Sequence, residues 1–403
     1  MKILLLNDLG TATGGAELQM LSLRQGLRDR AHDVRFLSSG AVPVANSEFL
    51  ADYRCFGTNT LLQVFSQTAN PSAYFTLRRA LQEFQPDVVH IRMFLWQLSP
   101  LILPLLRNIP CVYQTAVYKA ICPTGTKILP DGSPCQEPPG RACLKNGCLT
   151  PQTWAVLMLQ QQLWQRWRGA IDLVVTLSHA MKNQLEIAGI EPIEVVHNGV
   201  PWRSPRPPLT SPPTVVFAGR FVPEKGIDVL LKAFARILNQ IPEAQLLIAG
   251  QGVEAENLKA LVAELAIAKS VRWLGHLERQ QMEQHFDSAW VQVVPSLWAE
   301  PFGNVTTEAM MRGTAAIASA VGAQPEIVID GETGYLVPPG DVESLTEALF
   351  KLLSDRERCE KMGQAGRERA IHHFSEDRRT EHFLMIYQRL KKQYKYHSDG
   401  FAI

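Results

Sequence analysis

The 403 residues contain no apolar run long enough to cross a bilayer. The longest, Leu98–Leu106, is broken by Pro100 and Pro104 and stops well short of the ~20 residues a spanning helix needs. Nor does one sign of charge dominate: 40 Lys and Arg face 39 Asp and Glu, a net charge of +1. Residues 1–200 carry 17 basic and 14 acidic side chains, and residues 201–403 carry 23 and 25. Neither half has the basic excess of a general nucleic-acid binder, so nucleic acid is not an expected partner. Long charge runs are missing too, and hydrophobic residues make up 46%, which argues against disorder. Seven cysteines in this length are too few for a secreted disulfide scaffold, and none form a CxxC pair. The start, Met1-Lys2-Ile3-Leu4-Leu5-Leu6, loses its apolar character at Asn7-Asp8, too soon for a signal peptide. The expectation is a first buried strand in a cytoplasmic protein.

What is present is an alternation of short apolar runs and helical patterns. Lys2–Asn7, Val34–Ser38, Asp87–Ile91, Cys111–Tyr113, Leu173–Leu177 and Glu194–His197 read as strands. Their apolar residues do not alternate with polar ones, as in parallel strands covered on both faces. Ala16–Leu27 has helical spacing through Leu18, Leu21, Leu23 and Leu27. Then comes Pro201–Pro213, with six prolines in thirteen residues, which predicts an extended linker. Beyond it the pattern restarts, with strands at Thr214–Ala218, Gln245–Ala249, Val271–Leu274, Val291–Val294 and Ala315–Ala318. Ile227, Leu230, Leu231, Phe234, Ile237 and Leu238 mark a helix between the first two. The expectation is α/β: two doubly wound Rossmann-like domains, 1–200 and 214–374, facing across a cleft and joined by the linker 201–213. A last segment, 375–403, carries a helix over Ser375–Tyr394, free to pack on either domain or bridge both; the tail from His397 gives no signal.

Three segments offer chemistry. In Pro295–Gly313, Glu300 falls in the loop after a strand, and Pro301 with Gly303-Asn304 starts a helix that places Glu308 in an early turn. Backbone N–H groups at such a helix start favour an anion. Carboxylates accept from sugar hydroxyls, although two solvated surface residues would show the same pattern. In Gly219–Gly226, Arg220 and Lys225 follow a strand, at the edge where open α/β sheets bind ligands. A planar fork and a point charge suit a diphosphate, while Lys225 could equally pair with Glu224 or Asp228. Third, Gly10–Glu17 holds Gly14-Gly15 between the first strand and its helix. Glycine lets backbone approach a phosphate closely. The segment is not GxGxxG, and no acidic residue after the second strand plainly plays a ribose-binding role, which disfavours a dinucleotide dehydrogenase.

Taken together these segments resemble glycosyltransferase family 4, the retaining nucleotide-sugar enzymes of GT-B fold. The resemblance spans nearly the whole chain and is densest over Val216–Val337. It implies that Gly14 and Gly15 lie beside donor phosphates and acceptor, and that Arg220 and Lys225, after Gly219, clamp the diphosphate. It implies that Glu300 approaches the transferred sugar and that Glu308 binds the nucleotide ribose. Phe302, Gly303, Asn304 and Val305 would add backbone contacts, and His197–Val200 matches a further family motif near the domain junction. Arg220, Lys225 and Glu300 are the implied catalytic residues of a hexosyltransferase needing no metal or other cofactor. The donor would be a UDP sugar in the first instance, or a GDP or ADP sugar, and the acceptor a glycan, lipid or small molecule. Members of this family often act on membrane lipids, so contact with the inner membrane surface is compatible with the cytoplasmic reading; oligomeric state is not encoded in any motif.

One departure stands out. Members with Ile-Cys-Pro carry a His-Asp pair shortly before it, facing the sugar. Here Tyr113–Pro123 has neither His nor Asp, leaving Gln114, Thr115 or Tyr118 as sugar- or acceptor-facing candidates. His90 lies on another strand and is no replacement. The loss leaves an alternative, a non-catalytic sugar-nucleotide-binding or assembly protein. Two other enzymes on this fold, an epimerase and a phosphorylase-like enzyme, are rivals, the latter without its cofactor lysine site. Cys122, Cys135, Cys143 and Cys148 share a Pro- and Gly-rich loop whose spacing matches common zinc frames poorly; reduced thiols, a labile disulfide and a structural zinc are all compatible with it. The loop reads as a lid or acceptor-side insertion. Trp154, Trp164 and Trp167 lie with Arg166 and Arg168 on a helix over Thr153–Arg168. Leu157, Leu163 and Trp164 share a face, so packing on the first domain is favoured over docking at a membrane.

Overall fold

The structure, a computed structural model, describes residues 1–42, 47–210 and 212–399. Contacts divide the chain into two units, Met1–Gly199 with Glu376–Ile403, and Val200–Ser375. Of the expected linker, Ser211 lies outside the described residues, as do residues 400–403 of the tail.

The first unit holds a seven-stranded sheet in the order β3-β2-β1-β4-β5-β6-β7. Its strands are β1 (Lys2–Leu9), β2 (Asp33–Ser39), β3 (Tyr53–Cys55), β4 (Val88–Ile91), β5 (Cys111–Gln114), β6 (Leu173–Thr176) and β7 (Ile193–Val195). Every pairing is parallel. All four residues of β4, β5 and β6 are buried, which is why these runs show no alternation. The helix Gly15–Arg28 covers one face through Met20, Leu23 and Leu27. The last helix, Glu376–Asp399, belongs to this unit: Phe383, Ile386, Tyr387 and Leu390 join Ile3, Leu5, Phe36 and Val112 in its core. Lys391 pairs with Asp87 at 2.8 Å, and the Tyr394 hydroxyl donates to Asp172 at 2.9 Å.

The second unit holds β8 (Thr214–Ala218), β9 (Gln245–Ala249), β10 (Val271–Gly275), β11 (Val291–Val294), β12 (Ala315–Ser319) and β13 (Gly334–Val337). The order is β10-β9-β8-β11-β12-β13, again all parallel. Strand order therefore reverses between β8 and β11, and ligands of such sheets bind beyond the carboxyl ends of the strands at that point. The helix Ile227–Ile237 buries Ile227, Leu230, Leu231, Phe234 and Ile237, the residues whose spacing marks it. Helices Val342–Leu353 and Arg356–His373, which carry Asp341 and Asp355 as N-caps, close the unit.

The proline-rich segment is less free than a linker. At its described positions it forms no helix or strand, yet it is bound to the second unit. Leu209 is fully buried in that unit's core, and its N–H donates to Glu360 at 2.7 Å. Arg206 pairs with Glu360 at 3.3 Å, and the Trp290 indole donates to the Thr210 carbonyl at 2.8 Å. Proline removes ladder donors but leaves carbonyls and flanking side chains available for such anchoring.

Candidate active site

The reversal between β8 and β11 brings two of the expected residues into contact. Lys225 ends a short turn, Pro223–Lys225, after β8, and Glu300 lies in the loop after β11. Lys225 Nζ stands 2.6 Å from Glu300 Oε1, with side-chain exposures of 19% and 11%. The Ser296 hydroxyl donates to the same carboxylate oxygen. The Trp298 ring lies 6.0 Å from Lys225 Nζ, and its indole N–H has no hydrogen-bond partner among the described residues. The pair that the sequence left open is thus resolved: Lys225 meets Glu300, while Asp228 pairs with Lys232 and Glu224 with Arg220. Arg220 is 71% exposed and 3.9 Å from Glu224, so its guanidinium is held only loosely.

Glycine makes this approach possible. Gly226 has φ +62, and a Cβ there would stand 2.1 Å from the Pro295 carbonyl oxygen. Gly322 has φ +61, and a Cβ there would stand 2.5 Å from the Glu300 nitrogen. Both positions demand the left-handed region and a bare α-carbon. Main-chain bonds then lock the loops: Leu297 N–H donates to Glu224 at 2.9 Å, and Ala323 N–H to the Glu300 carbonyl at 3.1 Å.

The helix Asn304–Met311 starts at the expected residue, with Gly303 as an N-cap that offers no side-chain hydrogen bond. Phe302 and Gly303 are buried, and Asn304 and Val305 half-buried. Phe302 packs edge-on against Phe374, ring centroids 5.9 Å apart. Gln324 accepts from the Thr306 hydroxyl at 2.9 Å, while its amide nitrogen has no partner among the described residues. Glu308 lies one turn into the helix and lines a cavity of about 40 Å³ with Arg203, Val216, Val305 and Arg312. The two glutamates therefore have different surroundings, Glu300 against a lysine and Glu308 at a small, largely apolar cavity.

In the first unit, Gly14 is the N-cap of Gly15–Arg28, directly after β1. Asp8, at the end of β1, accepts the N–H groups of Trp96, Gln97 and Leu98, so the loop after β4 is tied to β1 across that sheet's own reversal. Gln114, Thr115 and Tyr118 are all buried. The Thr115 hydroxyl donates to the Val117 carbonyl at 2.6 Å and is engaged locally. Gln114 accepts from Arg92 at 2.7 Å, and Arg92 also reaches Asn198 at 3.1 Å. Arg92 was not singled out from the sequence. It is 2% exposed, bonded to neutral amides, and burial, then the Arg379 charge, lowers its pKa to about 9. A lone arginine within the apolar stretch Val88–Leu98 is the signal that marks it.

The four loop cysteines are free and together line one cavity of about 20 Å³. Burial pushes the Cys122 thiol up, but hydrogen bonds from the Thr124 hydroxyl and nearby N–H groups outweigh it and hold the thiol below its usual value. Burial and the neighbouring thiols raise that of Cys148. Among the described residues no group of three or more His, Cys, Asp or Glu is arranged to hold a metal ion. Trp164 is fully buried against Phe94 and Tyr113, so this tryptophan is a core residue. Among the described residues no helix is long and apolar enough to cross a membrane.

His90 is structural. It is wholly buried, bonds to the Tyr387 hydroxyl and packs on Phe383. Burial, then the Arg92 and Arg379 charges, depress its pKa from 6.5 to about 3. Between these values the unfolded chain binds the extra proton, so stability falls as pH drops through that window, by up to about 1.4 kcal/mol per unit. Asp8 acts oppositely. Burial raises its carboxyl from 3.8 to about 6, so its term favours the folded state as pH falls between those values. Urea unfolding of the parent and His90→Gln should show the parent losing stability relative to the variant below about pH 6.5. Parallel profiles would contradict the buried neutral imidazole.

Comparison with known proteins agrees with this fold. A family profile described as "Glycosyl transferase 4-like domain" matches residues 14–199, and one described as "Glycosyl transferases group 1" matches residues 200–369. A phosphatidyl-myo-inositol mannosyltransferase of Mycobacterium leprae is 28% identical over 88% of both chains. A glycogen synthase of Mycobacterium tuberculosis is 30% identical over half of this chain, which spans about half the length of that relative. The crystal structure of HepE from Anabaena, in complex with UDP, superposes with a TM-score of 0.67 at 20% identity, covering 98% of this chain and 100% of that one. Two parallel α/β units with these neighbours define the GT-B class. Within it, the chain belongs to the glycosyltransferases of the family 4 type.

Proposed function

We propose that the chain moves a hexose from a nucleotide-diphosphate sugar to a glycan, lipid or small-molecule acceptor, with retention of anomeric configuration and without a metal. The observation that carries this reading is the Lys225–Glu300 pair at the strand reversal of the second unit. In the unliganded chain the two charges hold each other. An incoming diphosphate competes for the ammonium, releasing Glu300 to accept from a sugar hydroxyl. Glycosidic cleavage then moves an electron pair onto the diphosphate, and Lys225, Arg220 and the first-turn N–H groups at Asn304 and Val305 stabilise it there. The acceptor attacks from the leaving-group side, and a phosphate oxygen takes its proton. Gly219 and Glu308 complete the donor contacts, Glu308 on the ribose, and Gly14 and Gly15 lie beside the donor phosphates and the acceptor. Gln114, Thr115 and Tyr118 remain the acceptor-side candidates, with Arg92 now bonded to the first of them.

UDP is the preferred nucleotide, consistent with the UDP bound by HepE. A thermal-shift screen of UDP, GDP and ADP sugars tests this. A ligand at a hundredfold its Kd stabilises its site by about 2.7 kcal/mol, so the true donor should raise the melting temperature well above the others. No shift with any of the three contradicts the donor assignment.

A further inference from the structure

The first unit carries a second recess that the donor chemistry does not use. It has a volume of about 870 Å³, within the range of ligand-binding clefts. One wall is the helix Pro151–Trp167, which presents Trp154, Met158, Gln161, Gln162 and Gln165, a single helical face by spacing. Gln184 comes from the helix His179–Ile187, and Gln136 from the cysteine loop.

Five glutamines on one recess is an unusual lining. An amide both donates and accepts, so an array of them matches the hydroxyls of a saccharide better than lipid chains or a planar base. Gln161 is 6% exposed; its nitrogen donates to the Lys119 carbonyl at 3.1 Å, and its amide oxygen has no partner among the described residues. Trp154 supplies a half-buried ring, fixed by its indole N–H donating to the Gly140 carbonyl at 2.9 Å, beside Pro138 and Pro139. Such an amphipathic ring suits the apolar face of a sugar. Charge narrows the class further. Lys127 and Arg141 line the recess and no Asp or Glu does. Among the described residues the Lys127 ammonium donates to a neutral backbone carbonyl, that of Glu137, at 3.1 Å.

We propose that this recess holds an acidic oligosaccharide, the acceptor chain of the transfer reaction, with its sugar rings on Trp154 and the glutamines and its carboxylate or phosphate groups facing Lys127 and Arg141. The acceptor role rests on the glycosyltransferase reading; binding itself does not, and the two are measured separately.

The test applies the full chain to an array of neutral, uronate-bearing and phosphate-bearing oligosaccharides, with UDP titrated in parallel. The expected result is at least tenfold tighter binding to acidic than to neutral chains of equal length. Arg141→Ala should erase that preference. Gln162→Ala with Gln165→Ala, both exposed positions, should weaken acidic binding about tenfold, and UDP affinity should be the same in every variant. Equal binding of neutral and acidic chains, or variants that bind as the parent does, would overturn the proposal. So would a chain that binds UDP and no oligosaccharide, whereas loss of UDP binding in the parent strikes the donor reading instead.

Discussion

Lys225→Ala should lower kcat by about 10²–10³, the usual cost of removing one preorganised group from developing transition-state charge. Two effects add in this variant. The diphosphate loses its point charge, and Glu300, 11% exposed and also bonded by Ser296, loses the ammonium 2.6 Å away that orients it. Donor KM should therefore rise together with the fall in kcat, as measured by steady-state kinetics with the donor identified by thermal shift. Lys225→Arg keeps the charge but replaces a compact ammonium with a longer planar fork; partial rescue is expected. Unchanged kcat in Lys225→Ala would remove the lysine from the reaction.

Phe383→Ala should destabilise the first unit by about 3–5 kcal/mol. Phe383 is fully buried, stacks on Tyr387 with centroids 5.9 Å apart, and lies 4.7 Å from the His90 ring. The last helix reaches this core after the whole second unit has been threaded, so its contribution to the first unit is not local in sequence. Differential scanning calorimetry should show the lower-temperature transition of the variant assigned to the first unit. UDP should still stabilise the other transition, because all the proposed donor residues except Gly14 and Gly15 lie in Val200–Ser375. A variant as stable as the parent would mean that the helix only decorates the sheet.

Much of this was legible before any coordinates. β8, β9 and β11 have the bounds their apolar runs indicate, because a strand covered on both faces must be apolar throughout. Pro301 and Gly303 likewise marked the end of the Glu300 loop and the helix start at Asn304. Local chemistry did not show which partner Lys225 takes. Two carboxylates, Glu224 and Asp228, were in reach by sequence, and only the order of β8 beside β11 brings in Glu300, 75 residues away. β3 and β13 escaped notice for a different reason. Tyr53–Cys55 is three residues long, and Gly334–Val337 begins on a glycine at the end of a turn-like stretch, so neither has a pattern of its own. The same holds for the proline segment: its composition indicates extension, but the buried seat of Leu209 depends on a core assembled from distant residues.

The most direct measurement is a crystal structure of the chain with its nucleotide-diphosphate sugar. The account predicts a diphosphate oxygen within about 3 Å of Lys225 Nζ and a hydroxyl of the transferred sugar donating to Glu300. A nucleotide bound elsewhere, with Lys225 and Glu300 still joined to each other, would contradict it.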